Sequence, residues 1–341
     1  MIERLKRYCD CISPSGNEDK IRQLIIDDIQ HIATSWSVDR MGNLTAFKKG
    51  RRTPTKKVLL SAHTDEVGFM MKYISDEGYI YFENIGGIDR RVVSGRRVCI
   101  GDNQIIGVVA SKAIHLQKES ERGVCPPINE MYIDIGCTDR ESCEKLISVG
   151  DTAGFLPNFE EFGDNMIKSK AIDDRFGCAL LVEIMQDEPE YDTYFAFPAC
   201  EEVGTDGAKQ VAARLKPDIV LVIEATTAGD TVDTPKSRQA CALRGGAVVS
   251  HMDGGTIYDK ALVEHIRQTA ERNNIKYQMK NVIAGGNEAA AYQKSGNGVR
   301  VMSISAPARY IHSASNVVCK DDLWEMKKLV SALLKEDFIY D

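Results

Sequence analysis

Two histidines and seven carboxylates fall where apolar runs stop. His63, Asp65 and Glu66 close "VLLSAHTDE", and Asp173 with Asp174 opens "IDDRFG". Glu201 and Glu202 follow "FAFPAC", Glu224 ends "LVLVIE", and His312 lies in "ARYIHS". Singly, each has an ordinary reading: a structural histidine, carboxylates capping a helix, or a solvated turn. Glu224 is harder to dismiss, because a carboxylate joined to so apolar a run needs a partner. Together, imidazoles and several carboxylates without cysteines form the donor set of a mixed nitrogen and oxygen metal site. Two ions ~3.5–4 Å apart can share one bridging aspartate and clamp a water against a substrate oxygen. His63 and Asp65 are two residues apart, so in extended chain they project to the same side.

These residues need a frame that brings strand ends together. Residues 1–57 read as two helices and a strand region. Ser15 stands three residues before Glu18, the spacing of a capping box at a helix start. "VLLSAH" reads as a buried strand. From about residue 69 to 163 the chain turns to short β-type runs punctuated by Gly and Asp-Asn, with helical periodicity only in "DRESCEKLI". After residue 165 helices and strands alternate: helix "DDRFGCALLVEIMQ", strand "YFAFPACEE", helix "DGAKQVAARL", strand "DIVLVIEA" and onward to helix "KDDLWEMKKLVSALLK". That alternation means an α/β sheet flanked by helices, with the β segment inserted into it. The expected domains are therefore 1–68 with 164–341, and an inserted 69–163. In open α/β sheets ligands bind beyond the carboxyl ends of the strands, where these acids and imidazoles lie.

Composition narrows the function. With 341 residues and 43% apolar content, the chain can build one large or two ordinary domains. A net charge of -7 without a basic run disfavours nucleic acid and anionic membranes as partners. The opening "MIERLKRYCDCISPSG" has charges every few residues and no apolar segment, so it does not read as a signal peptide. Ten cysteines without a Cys-x-x-Cys pair suggest a reducing cytoplasm, with neither a zinc knuckle nor a redox motif.

"AHTDEVGFM", "KAIDDRFG", "EEVG", "E..TAGD" and "ARYIHS", taken in order and spacing, resemble the tetrahedral (TET) aminopeptidases. That family of di-metal exopeptidases includes glutamyl aminopeptidases, some of them labelled endoglucanases. The resemblance covers essentially the whole chain. It implies a zinc-exopeptidase-like α/β fold, with a mixed sheet and a small inserted β-barrel-like dimerisation domain. It also implies two divalent metals per subunit, zinc first, with cobalt or manganese as alternatives. Carried over, His63 and Glu224 bind one metal, Glu202 and His312 the other, and Asp173 bridges both. Glu201 becomes the general base and Asp65 the carboxylate that orients His63. The peptide bond Asp173–Asp174 is expected to be cis. Short peptides are the implied substrates, and the implied assembly is a dimer through the β insertion, extending to a tetrahedral dodecamer.

The chain also departs from that pattern. Glu224 stands where many relatives have Asp, Thr205-Asp206 replaces a hydrophobe and Arg, and Asn287-Glu288 replaces Thr-Asp. Arg244, Arg300 and Asn287 are candidates for a side-chain pocket, and His251 is a secondary site candidate. His31, His115 and His265 read as remote from the site. Two other readings stay open: a metal-dependent amidohydrolase or deacylase acting on a non-standard amide, and a non-catalytic scaffold on the same fold. A polysaccharide hydrolase is disfavoured, because it needs two carboxylates across a sugar rather than a metal cluster.

Overall fold

A computed structural model describes residues 1–338; the last three residues of the expected α/β domain lie outside them. Helices α1 (Ile2–Asp10) and α2 (Asp19–Ile29) lead into β1 (Ser35–Val38), β2 (Leu44–Lys48) and β3 (Val58–Ser61). Strands β4 (Gly68–Ile74), β5 (Ile80–Ile85), β6 (Arg97–Ile100), β7 (Ile105–Ala110), β8 (Tyr132–Asp134) and β9 (Thr152–Phe155) close into an antiparallel barrel. The helical periodicity noted inside this segment shrinks to α3 (Arg140–Glu144), whose start is capped by Asp139.

The remainder runs β10 (Glu160–Phe162), β11 (Met166–Ser169), α4 (Ile172–Met185), β12 (Thr193–Phe197), α5 (Asp206–Leu215), β13 (Ile219–Thr227) and β14 (Ala247–Val249). It continues through α6 (Lys260–Arg272), β15 (Tyr277–Met279), α7 (Ala289–Gln293), β16 (Arg300–Ala308), β17 (Asn316–Cys319) and α8 (Lys320–Leu333). Eight strands form one mixed sheet in the order β1-β2-β12-β3-β13-β16-β14-β15. Its middle four, β12, β3, β13 and β16, are parallel. Strand β3 is buried throughout and β13 up to Thr226, as strands covered on both faces must be. A separate three-stranded sheet, β10-β11-β17, was not foreseen, because three- and four-residue strands carry too little periodicity to stand out.

The two bodies have separate cores. In the α/β body, Ile21, Ile25 and Ile29 give α2 one apolar face, and α4 packs against α1, α2 and β13. In the barrel, Phe69 meets Phe82 and Phe155 edge-on at 5.0 and 5.3 Å between ring centres.

Between β3 and α4 lies a buried ion cluster. Glu66 accepts from Lys170 Nζ with both oxygens at 2.8 Å, from Arg175 Nη2 at 3.4 Å and from the Ser13 amide at 2.9 Å. Lys170 and Arg175 spend further donors on carbonyls of Tyr8, Cys11 and Ser13, which tie α1 and its following loop to the start of α4. The stretch around His63 thus splits its acids: Glu66 serves the fold. Replacing Glu66 with Gln leaves two buried cations without a counter-charge. We expect a loss of ~3–5 kcal/mol in urea unfolding; a loss below ~1 kcal/mol would contradict this arrangement.

Candidate metal centre

The carboxyl ends of the four parallel strands deliver most of the site. His63 follows β3 by two residues, Glu201 and Glu202 follow β12, Glu224 lies inside β13 beside Ser305 of β16, and His312 follows β16. Asp173 arrives from the start of α4, across a cis peptide bond to Asp174. The expected cis bond is therefore present. Cys200, Tyr310 and His312 adopt left-handed backbone conformations with φ of 57–59°. Non-glycine residues of that kind gather at functional sites, because surrounding structure must impose them.

Two groups of three donors share Asp173: His63, Asp173 and Glu224, and Asp173, Glu202 and His312. His63 Nε2 lies 3.5 Å from Asp173 Oδ1 and 3.7 Å from Glu224 Oε1. His312 Nε2 lies 3.5 Å from Asp173 Oδ2 and 3.3 Å from Glu202 Oε2. Asp173 thus turns one oxygen to each imidazole. Ligand atoms ~2.0–2.2 Å from a tetrahedral ion stand roughly 3.3–3.6 Å apart, close to these separations, so both groups could hold a divalent cation. Among the described residues these are the groupings that suit one.

Asp65 holds the two sides together. It faces His63 Nδ1 at 3.4 Å, leaving Nε2 for the cluster, and its backbone carbonyl lies 3.2 Å from the same nitrogen. Its carboxylate also accepts the Glu201 amide at 2.9 Å, the Glu202 amide at 3.1 Å and the Ser15 hydroxyl at 2.6 Å. The expected capping box is therefore not formed. Ser15 serves Asp65 instead, while Glu18 accepts from the amides of Gly16 and Cys200. A fully buried carboxylate outcompetes a helix end that water can satisfy.

The electrostatics follow from crowding. Burial, with neighbouring carboxylates, raises Glu201 to about 7 and Glu202 to about 8, and lifts Glu224 well above its ordinary 4.5. Asp173 is equally buried, yet the imidazoles of His312 and His63 hold it far below the usual range. Burial opposes a charged His312, but Asp173 and Glu202 raise it to about 9; Glu224, Asp173 and Asp65 likewise lift the buried His63.

Other candidates go elsewhere. Asp174 is buried and accepts from the Gly177 amide. Arg244 pairs with Asp164, and Arg300 faces Asp259 near the opposite end of β16, so neither lines the cleft. Asn287 does line it. His251, His31 and His115 are exposed and outside the donor groups, and His265 lies against Glu336 and Phe338. Thr205 and Asp206 start α5 away from the cleft lining, and Glu288 is buried at the start of α7. Sequence reasoning missed Ser15, Glu18, Lys280, Asp253 and Tyr258. Of these, Lys280 left a trace, a cation closing the apolar-polar run "YQMK".

Residues 42–329 match the model of the M42 glutamyl aminopeptidase family. The aminopeptidase APDkam598 of the archaeon Desulfurococcus kamchatkensis superposes with a TM-score of 0.93 at 31% identity, covering 98% of this chain and 94% of that one. The TET1 peptidase of Pyrococcus horikoshii, which can assemble into a tetrahedron or a large octahedral shell, gives 0.87 at 32%, with 98% and 99% covered. The lysyl aminopeptidase of Pyrococcus furiosus is 27% identical over 98% of this chain and 96% of its own.

The pKa directions set the pH response of metal-free protein. A carboxyl raised from 4.5 to about 7 or 8 stays protonated in the fold while the unfolded chain ionises, so stability falls as pH climbs from about 5. A histidine raised from 6.5 to about 9 contributes stability that is lost between those values. Both act in one direction. Chelator-treated protein should lose on the order of a few kcal/mol of unfolding free energy between pH 5 and 9, and divalent metal should flatten that slope. A flat profile without metal would contradict it.

Proposed function

The chain belongs to the M42 glutamyl aminopeptidase family, and on that premise we propose that it is a di-metal aminopeptidase that removes N-terminal residues from short peptides. His63, Asp173 and Glu224 would hold one divalent ion and Asp173, Glu202 and His312 the other, with zinc the first choice and cobalt or manganese able to substitute. When bound, the ions supply Lewis-acid polarisation of the peptide carbonyl and activation of water. The observation that carries this reading is the pair of donor groups joined through the two oxygens of Asp173.

The chain's own residues do the rest. Glu201 lines the same cleft with a carboxyl raised to about 7, suited to taking a proton from water and returning it to the leaving nitrogen. Asp65 fixes the His63 ring and the backbone of Glu201 and Glu202, so the base and one donor arm keep one geometry. Buried acids around the cleft favour a free, cationic α-amine and disfavour an acylated one. Residues 69–163 would form the dimerisation and access-controlling domain; Ile114, Leu116 and Val124, each more than 60% exposed, support an interface there. Further assembly towards a dodecamer would enclose the sites and restrict them to short peptides. Among the described residues no helix is long and apolar enough to cross a membrane. All ten cysteines are free thiols, which supports the cytoplasm as its compartment.

Metal-reconstituted protein should hydrolyse free-amine p-nitroanilides and leave their N-acetyl counterparts intact. Glu201→Gln should lower kcat about 10²–10⁴-fold while retaining two ions per chain by elemental analysis. Asp173→Asn should instead reduce the bound metal itself. Cleavage of acylated substrates alone would replace this reading with a deacylase.

A further inference from the structure

The barrel forms the rim of the cleft on the side of the second donor group, where Gly86 adjoins Glu202 and Gly87 adjoins His312. Residues 86–97 hold four arginines and one acid, in a chain whose net charge is -7. The acid, Asp89, is taken by Arg91, whose Nε donates to Oδ2 at 2.8 Å. Arg90, Arg96 and Arg97 are exposed, and among the described residues no carboxylate lies within 4.0 Å of their guanidinium groups. Arg96 gives only its Nε, to the Val92 carbonyl at 3.0 Å. Arg96 and Arg97 line a depression of about 130 Å³ together with Phe155, Pro157, Asn158 and Ala314. Asn158 is already engaged: its nitrogen donates to the Ala314 carbonyl at 2.7 Å and the Ser315 hydroxyl at 2.9 Å, and its oxygen accepts the Lys170 amide at 2.9 Å. The depression therefore offers two guanidinium forks that no protein carboxylate meets.

We propose that this depression receives the C-terminal carboxylate of the peptide substrate, held by Arg96 and Arg97, so that tripeptides and tetrapeptides are gripped at both ends. The inference rests on the aminopeptidase reading and adds what sets peptide length. An aminopeptidase takes the first residue among its donors and leaves the rest of the peptide across the rim. Ala314 is two residues beyond His312, and two extended residues span ~7 Å at most. The two or three residues that follow the scissile bond reach equally far. At that distance a planar guanidinium matches the two oxygens of a carboxylate, which an amidated terminus lacks.

The test uses metal-loaded protein and alanine peptides of two to six residues, each made as free acid and as C-terminal amide. Their first residue is the one best cleaved as a p-nitroanilide, and its release is followed by chromatography. For the tripeptide or tetrapeptide, kcat/KM of the acid should exceed that of the amide about tenfold or more, chiefly through KM, and added salt should narrow the gap. The hexapeptide acid and amide should be cleaved alike. In the double variant Arg96→Gln, Arg97→Gln the acid-to-amide ratio should fall to near one. Equal cleavage of acid and amide by the wild type at every length overturns the inference, whether or not the variant folds. So does a ratio that survives the double substitution. A tetrapeptide amide restored to the rate of the acid by a glutamate at its third residue also overturns it, since the arginines would then read side chains. Those outcomes leave the aminopeptidase reading standing. Cleavage of no free-amine substrate overturns that reading and this inference with it.

Discussion

Five carboxylates and two imidazoles are forced into one desolvated space, and the surrounding structure is arranged around that charge. Two like charges at 4 Å cost about 4 kcal/mol even at an effective dielectric of 20. Asp173, Glu201, Glu202 and Glu224 cannot all ionise there without compensation: Asp173 keeps its charge against the two imidazoles, and the three glutamates are raised. Asp65 is the member whose charge is met within the protein, by two amides, a hydroxyl and an imidazole. The others share two histidines. That deficit of positive charge is the physical argument for cations at the two donor groups, independent of any likeness to other proteins.

The same constraint decides what was legible in the sequence. Acids and imidazoles at strand ends stand out because they interrupt apolar runs, so the residues that the fold gathers into the two groups could be picked out from the sequence. The α/β alternation was equally visible, since β13 and β16 are nine-residue, largely apolar strands and α5 and α6 carry apolar residues on one face. The supporting residues were hidden. Ser15 and Glu18 have the spacing of a helix cap, and only the proximity of Asp65 and Cys200 redirects them. Lys170 and Arg175 look like ordinary polar residues beside a helix start, yet both are fully buried against Glu66. Tertiary pairing, which no local pattern encodes, separates these residues from their surface counterparts.

The barrel is not remote from the chemistry. Gly86 and Gly87, just beyond β5, press against the second donor group. A Cβ on Gly86 would stand 3.2 Å from the Glu202 Cβ and 3.0 Å from Val67 Cγ1, at a φ of +76° that favours glycine. A Cβ on Gly87 would lie 3.5 Å from His312 Nδ1. The loop between β5 and β6 leaves no room for a side chain against Glu202 at Gly86, so a shift of the barrel reaches Glu202 and His312 by contact.

Glu224 shows how a long side chain is held in place on a fixed frame. Its strand is pinned by parallel pairing on both sides, to β3 and β16, so the backbone cannot retreat to make room for the methylene by which Glu exceeds Asp. The side chain bends instead. Glu224 Oε1 turns back to accept the amide of Ala225 at 3.0 Å, and the same oxygen lies 3.7 Å from His63 Nε2. One oxygen is therefore held by the strand's own backbone while facing the donor group, which restricts the rotamers that the longer side chain would otherwise sample. Length that would loosen a donor on a free loop is converted here into a fixed position, because the strand beneath it is paired on both sides.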